Sequence, residues 1–381
     1  IDTNASNTTG DLTIGVVTGG SNALTLSTGD NVANSDITAS GNISGVTTLT
    51  LSDVGGTATF AGDVDVTTLT VGNTVANVAL NGDGSTVTNT VSFANDGTLQ
   101  LADATGDTLT FNGGVTTTGV GGTVTLNGTI NASDDAITLG AVTLGSNTTV
   151  DTNAASTNTA DLTIGAVTGG SNTLTLSTEN NIANADITAS GAISGVTTLT
   201  ISNAGGTATL SGDVDVTTLA IGNTVANVAI NGDGSTVSND IDFANDGTLQ
   251  LGDASGDTLT FNGGLDTSDV GGTVTLNGTI DTSNDAITFD AVTLGSATTI
   301  DTNATDTTGD IAIGVVTGGS NALTLSMGNN VANTDISATG NISGVTTLTL
   351  QNVGGTATLS GDVDVTTLAV GNTVANLAFT G

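Results

Sequence analysis

The chain has 381 residues, of which 36 are Asp or Glu and none is Lys, Arg or His, so its formal net charge at pH 7 is −36. Without a basic side chain the protein cannot clamp phosphate, which excludes nucleic acids and anionic membrane surfaces as direct partners. Cys is absent, which excludes disulfides and thiolate metal sites, and with no Trp, no Tyr and only 7 Phe the core must be thin.

The first 150 residues alternate short strand patterns with turn signals and show no helical period. Turns rich in Gly and Asn, such as residues 81–84 and 112–114, reverse the chain at little steric cost. No apolar run approaches the roughly 18 residues of a membrane span, so we predict no membrane insertion. The predicted strands are 12–17, 23–27, 47–51, 57–60, 64–71, 98–101, 108–111, 123–126 and 136–139.

The same strands then return along the chain. Residues 55–69 recur nearly letter for letter as residues 205–219 and 354–368. An array grows by adding units instead of separate cores, so we predict one elongated repeat domain over residues 1–381. Its units are residues 1–150 and 151–300, followed by a partial unit, residues 301–381.

Within each unit a fainter repeat predicts the fold. A Gly or Asp followed by Thr and a short strand recurs at separations near 21 residues, a common length for one coil of a β-solenoid. We therefore predict an all-β fold, a single-chain parallel β-helix (β-solenoid) of roughly 20–25 residues per coil and some 17 coils. Backbone pairing between coils, small aliphatic side chains and ladders of Asn or Thr would stabilise it.

Pairs of Asp are the best candidates for a binding site. Charged residues make up only 9% of the chain, which indicates that the acid is positional and not a general solubilising coat. Two carboxylates separated by one residue point to the same side of a strand, where backbone carbonyls could help them hold calcium. The alternative is a solvated acidic face. The candidate calcium ligands are Asp63, Asp65, Asp213, Asp215, Asp362 and Asp364.

Catalysis is not expected. Ser is abundant, but no His, Lys or Cys exists to activate it. Three near-identical copies of an Asp pair are also not how one catalytic cleft is built. We therefore predict that the protein is not an enzyme and requires no cofactor other than calcium, if its Asp pairs bind that ion.

Thr-x-Thr motifs raise ice binding as a minor alternative. Pairs such as Thr48 with Thr50, Thr57 with Thr59, and Thr123 with Thr125 resemble the ranks of Thr that several ice-binding proteins display. Their irregular spacing in the sequence counts against this reading. Thr is also the polar β-branched residue that suits an exposed strand position.

Runs such as residues 41–51 and 121–128 resemble the repetitive stalks of very large secreted bacterial surface proteins, of the filamentous-haemagglutinin and autotransporter-adhesin type. The resemblance implies a right-handed parallel β-helix at the cell surface. Our leading hypothesis is an extracellular structural protein that forms a filament, sheath or surface layer. Its partners would be further copies of itself, with extracellular glycans or divalent cations as additional candidates. The alternative is the stalk of a large adhesin whose binding tip lies elsewhere.

Overall fold

The computed structural model describes residues 1–6, 9–29, 32–155, 160–179 and 182–381. These residues form parallel stacked strands and no helix, and the strands build a β-solenoid of about 17 turns, which confirms the predicted fold class. No described segment is therefore a helix that could span a membrane. The chain divides into two compact units, and each is treated by itself. The first comprises residues 1–191, 195–197 and 202–206, and the second residues 192–194, 198–201 and 207–381.

The strands are short and follow one another at close intervals. In the first repeat they are β1 Leu12–Ile14, β2 Val17–Ser27, β3 Ile37–Ala39, β4 Ile43–Ser52, β5 Val54–Phe60, β6 Val64–Val71, β7 Val75–Leu80, β8 Thr86–Val87, β9 Val91–Ser92, β10 Leu99–Leu101, β11 Thr108–Phe111, β12 Val115–Thr116, β13 Val124–Ala132, β14 Ile137–Leu139 and β15 Val142–Asp151. In the second repeat they are β16 Leu162–Ile164, β17 Val167–Thr168, β18 Leu174–Ser177, β19 Ile187–Ala189, β20 Ile193–Ser202, β21 Thr207–Leu210, β22 Val214–Ile221, β23 Asn227–Ile230, β24 Thr236–Val237, β25 Ile241–Asp242, β26 Leu249–Leu251, β27 Thr258–Phe261, β28 Leu265–Asp266, β29 Val274–Asp281, β30 Ile287–Phe289 and β31 Val292–Ala304. In the partial third repeat they are β32 Ile311–Ile313, β33 Val316–Thr317, β34 Leu323–Gly328, β35 Ile336–Ala338, β36 Ile342–Gln351, β37 Thr356–Leu359, β38 Val363–Val370 and β39 Asn376–Phe379.

Each strand pairs in parallel with the strand one coil further along the chain, but the length of a coil varies. Val124 pairs with Val142, 18 residues on, whereas Val17 pairs with Ile43, 26 residues on. This range is slightly wider than the predicted 20–25 residues. The corner loops absorb the difference, because the paired strands themselves stay in register.

The register arranges outward side chains in columns, one residue per coil. In the first unit one column runs through Thr13, Thr38, Thr59, Ala79, Gln100, Thr125, Thr143 and Thr168. Thr18 is the equivalent of Thr168 one repeat earlier, yet it lies in another column and pairs with Ser44. A repeat therefore does not contain a whole number of coils. Six pairings lead from Thr13 to Thr143, and two more faces of the same coil lead to Thr163, the equivalent of Thr13.

The core is the inside of the coils and is built from single layers of aliphatic side chains. Leu26, Leu49 and Ile130 are fully buried. Phe side chains fill the widest parts, and two pairs pack edge to face: Phe93 with Phe111 at 6.1 Å between ring centroids, and the repeat-related pair Phe243 with Phe261 at 6.2 Å. The sparse aromatic content therefore suffices for a core one coil wide.

Carboxylate and amide side chains at the corners bind the backbone of the next coil. Asp36 Oδ1 accepts the N–H of Thr57 at 2.7 Å, 21 residues further on. The third repeat reproduces this bond, with Asp335 Oδ1 accepting the N–H of Thr356 at 2.7 Å. The carboxylate takes the space beside Gly56, where a Cβ would lie 2.1 Å from Asp36 Oδ1. These Asp residues are corner clamps, and the backbone next to them must be Gly.

We expect Asp36→Ala to destabilise the coil that follows it by about 1–3 kcal/mol, because the Thr57 N–H loses its acceptor. Asp36→Asn keeps an oxygen acceptor and should lose much less. Hydrogen exchange of the Thr57 amide measures the effect locally, which suits a solenoid whose coils can open separately. Equal exchange in the Ala and Asn variants would contradict the clamp.

Candidate functional site

The paired Asp residues of the first repeat lie at the start of β6. Val64 and Val66 point into the core and are 1% and 5% exposed, whereas Asp65 between them is exposed. The predicted alternation along this strand is confirmed. Asp63 precedes the strand at the corner and is half-buried.

Both carboxylate oxygens of Asp63 are used within the protein. Oδ1 accepts the N–H of Gly84 in the next coil at 2.9 Å, and Oδ2 accepts the Asn42 side-chain amide of the preceding coil at 3.0 Å. Asp63 thus links three successive coils. Any cation at this carboxylate would share it with two hydrogen-bond donors.

Asp65 is engaged less strongly. Its Oδ1 accepts the N–H of Thr86 at 3.2 Å. Burial raises the pKa of this carboxyl, and repulsion by the nearby charge of Asp63 raises it further, while the bond from Thr86 acts in the opposite direction. The structure therefore brings the two predicted ligands of the first repeat close enough to interact.

The copies of this pair do not line up on one acidic face. In the second unit Asp215 begins a column that continues through Thr236, Thr260, Asp281, Asp301, Ser326 and Gln351. Asp364 belongs to another column and pairs with Ser343. Asp213 and Asp362 precede β22 and β38 as Asp63 precedes β6, and the N–H of Asp362 donates to Asn341 Oδ1 at 3.0 Å. The fractional number of coils per repeat moves equivalent pairs to different faces.

A closer pair of acids lies further along the column of Asp215, and sequence analysis missed it. Asp281 and Asp301 are direct partners in adjacent coils. Burial, and secondarily the charge of Asp301, raise the pKa of Asp281 from 3.8 to about 6. The first repeat has Asn131 beside Asp151 at the same place. No sequence signal indicates the pair, because the residues become neighbours only through the register.

Another group of acids lines a groove of about 430 Å³ in the second unit. Asp240, Asp242, Asp266 and Asp285 contribute to its wall. Burial raises the pKa of Asp242, and the charges of Asp266, Asp269 and Asp240 add to this shift. The first repeat has Thr90, Ser92 and Thr116 in place of the first three acids. The repeats therefore share a fold but differ in local charge.

No metal-binding cluster is evident in the part of the chain that the structure describes, where no group of three or more Asp, Glu, His or Cys side chains is placed to hold a metal ion. Calcium prefers six to eight oxygen ligands. At an Asp pair, backbone carbonyls and water would have to supply most of them. Calcium binding at the six predicted residues stays a prediction.

Thr residues that are irregularly spaced in the sequence become regular in the structure. In the second unit the outward, half-buried Thr residues form one column over five coils, through Thr258, Thr279, Thr299, Thr324 and Thr349. Thr108, Thr129, Thr149 and Thr175 form the corresponding column in the first unit. The neighbouring column is mixed and includes carboxylates, so the hydroxyl array is one residue wide.

We expect Asp281→Asn to stabilise the protein at pH 7 by about 1–2 kcal/mol, a value already reduced for solvent screening at a half-exposed group. The folded state holds this proton more tightly than the unfolded state, so this carboxyl lowers stability as pH rises from about 4 to about 6. Urea unfolding at several pH values should show the gain at pH 7 and its loss below pH 4.

The first repeat supplies the reciprocal variant. Asn131→Asp places a carboxylate beside Asp151 and should lower stability at pH 7 but not at pH 4. If Asp281→Asn left the pH dependence of unfolding unchanged, the interaction between Asp281 and Asp301 would not contribute.

The calcium hypothesis predicts that millimolar calcium raises the Tm and that a chelator reverses the rise. Replacing all six candidate ligands by Asn should abolish it, while magnesium at equal concentration controls for ionic strength. An identical Tm in calcium and in chelator would show the hypothesis to be wrong.

Comparison with known proteins does not assign the chain to a family. No protein-family model matches it, and neither a curated protein nor a solved structure gives a significant match. The fold and the candidate sites therefore rest on the residues and their geometry: an all-β solenoid of about 17 turns whose corners are clamped by acids and amides.

Proposed function

We propose that the protein is an extracellular structural protein that forms a filament, sheath or surface layer by stacking of solenoid coils. Its interactions are repetitive: the same strand pairing and the same corner clamps recur from coil to coil. Such a surface suits extension by further coils better than it suits the binding of one substrate.

The observation that carries this proposal is the open side of the last described coil. β38 and β39 pair with β36 and β37 on one side. Val214 and Val216 of the second repeat are 1% and 4% exposed, but their equivalents Val363 and Val365 are half-exposed. Phe379 is 56% exposed. This side offers apolar side chains together with an unpaired strand edge, which is a template for another coil.

A further coil of the same type would satisfy that edge. In the first repeat β8 covers the start of β6 and β10 covers β7, so the array itself shows what fits on β38 and β39. The coil could come from the same polypeptide or from a second copy. In both cases the contact is backbone pairing with continuation of the apolar core.

Charge sets the conditions for such assembly. A net charge of −36 with no basic side chain means that two copies repel each other at low ionic strength. Salt or divalent cations would screen this repulsion. We therefore propose that cations promote assembly even if none is bound at a defined site.

The proposed location is the cell surface. Proteases that cleave after Lys or Arg find no site in this sequence, which suits a protein exposed outside the cell. The resemblance to stalks of secreted bacterial adhesins supports the same location. It also supplies the alternative function, in which the solenoid is a stalk that carries a binding tip elsewhere.

Ice binding gains one argument from the structure. The five-coil Thr column repeats at the inter-strand distance of a β-sheet, about 4.8 Å. Asp281 and Asp301 in the adjacent column interrupt the array of hydroxyl and methyl groups. Ice binding therefore stays a minor alternative to the structural role.

Electron microscopy of native material, taken from the cell surface without proteolysis, tests the proposed function. We expect continuous filaments or sheets whose axial repeat matches the 150-residue unit, and more of them with divalent cations than with chelator. Isolated rods that end in a globular head would contradict self-assembly and favour the adhesin stalk.

Variants of the purified chain test the open edge directly. Val365→Glu with Phe379→Glu adds two charges to the last coil and should abolish light scattering by assemblies in high salt. Val16→Glu with Val315→Glu is the matched control, because these side chains are 75% and 46% exposed on the lateral surface. Equal scattering by both variants would exclude stacking at this edge.

A further inference from the structure

A groove with the same lining recurs in the first and third repeats, once in each unit. The two grooves have volumes of about 310 Å³ and about 340 Å³. Their shared polar lining is Ser21, Thr47, Asp65 and Thr67 in the first unit and Ser320, Thr346, Asp364 and Thr366 in the second. Thr86 and Thr88 extend the first groove over a further coil. The grooves run across successive coils at a corner of the solenoid.

Left-handed backbone at two corners creates the depression. Ser21 and Gly45 have φ values of 64° and 66°, and their equivalents Ser320 and Gly344 have 71° and 69°. Gly45 contributes no side chain, so a gap opens between the hydroxyl groups on either side. Val46 forms part of the floor. The groove is therefore hydroxyl-rich along its walls and has a small apolar base.

The polar groups of the groove are available to a ligand. Among the described residues, no acceptor lies within hydrogen-bond distance of the hydroxyls of Ser21, Thr47 or Thr67. Hydroxyls elsewhere are used: Thr28 Oγ1, for example, donates to the carbonyl of Asp53 at 2.8 Å. Asp65 accepts one backbone N–H through Oδ1, which leaves Oδ2 for another donor.

We propose that each groove binds a segment of a neutral sugar chain, with Asp65 or Asp364 accepting hydrogen bonds from adjacent sugar hydroxyls. Thr and Ser hydroxyls would both donate to and accept from the same sugar, as a polyol requires. Hydrogen bonds to an ionised acceptor are stronger than neutral ones, so the carboxylate would anchor the chain. The inference goes beyond the proposed structural function and does not depend on self-assembly.

Other classes of ligand fit the groove less well. An acidic polysaccharide or a nucleic acid would meet Asp65 and a chain with no basic side chain. A calcium ion prefers six to eight oxygens, and the groove offers one carboxylate. A neutral polyol needs no countercharge and matches the mixture of hydroxyls, carboxylate and apolar floor.

An array of neutral and acidic glycans, probed with the full chain in chelator, tests the proposal. We expect binding to neutral glycans only. Titration of the best neutral oligosaccharide, followed by NMR of the Thr methyl groups, should shift Thr47, Thr67, Thr346 and Thr366. Thr67→Trp with Thr366→Trp should abolish binding by filling the grooves, and both sites are exposed, so folding should survive.

A matched pair of charge variants tests the role of the carboxylates. Asp65→Asn with Asp364→Asn should weaken binding about tenfold or more. Asp135→Asn with Asp269→Asn removes the same charge at exposed positions outside both grooves and should have no effect. The proposal is overturned if no neutral glycan binds, if the Trp variant binds like the original chain, or if binding requires calcium and the two charge variants behave alike.

Discussion

Parallel backbone pairing between successive coils is the interaction on which the rest of this structure depends. A coil has no core of its own, because its apolar side chains are covered only when the next coil stacks on it. The pairing aligns those side chains and also aligns the outward ones in columns. At the corners, where strands are interrupted, side-chain oxygens such as those of Asp36 and Asn77 accept the backbone N–H groups of the next coil.

This arrangement accounts for the composition. Asp and Asn are short acceptors that reach a backbone N–H one coil away, so most of the acid serves the stacking. Thr, Ser, Val and Ile suit the two sides of a strand. Because coils are held by neighbours above and below and not by ion pairs, basic residues are not needed for the fold. The consequence is a large, uncompensated negative charge that any partner must tolerate.

The fractional number of coils per repeat has a functional consequence. A repeat with a whole number of coils would place equivalent residues in one stripe, and the Asp pairs would then form an acidic face. Here Asp215 and Asp364 fall in different columns of the same unit. Local differences matter as well, since Asn131 in one repeat becomes Asp281 in the next and creates a strained pair of carboxylates with Asp301. Features that recur along the chain are therefore distributed around the solenoid.

The sequence by itself determined the features that depend on neighbouring residues. Alternation identified β6 and β11 with their observed bounds and placed Asp65 outside and Val64 inside, because side-chain direction along a strand is a local property. Only the tertiary structure decided which coils face each other. The approach of Asp281 to Asp301, the Thr columns and the two hydroxyl-lined grooves all depend on register. Corner loops of different length set that register, and loop length carries no periodic signal in the sequence.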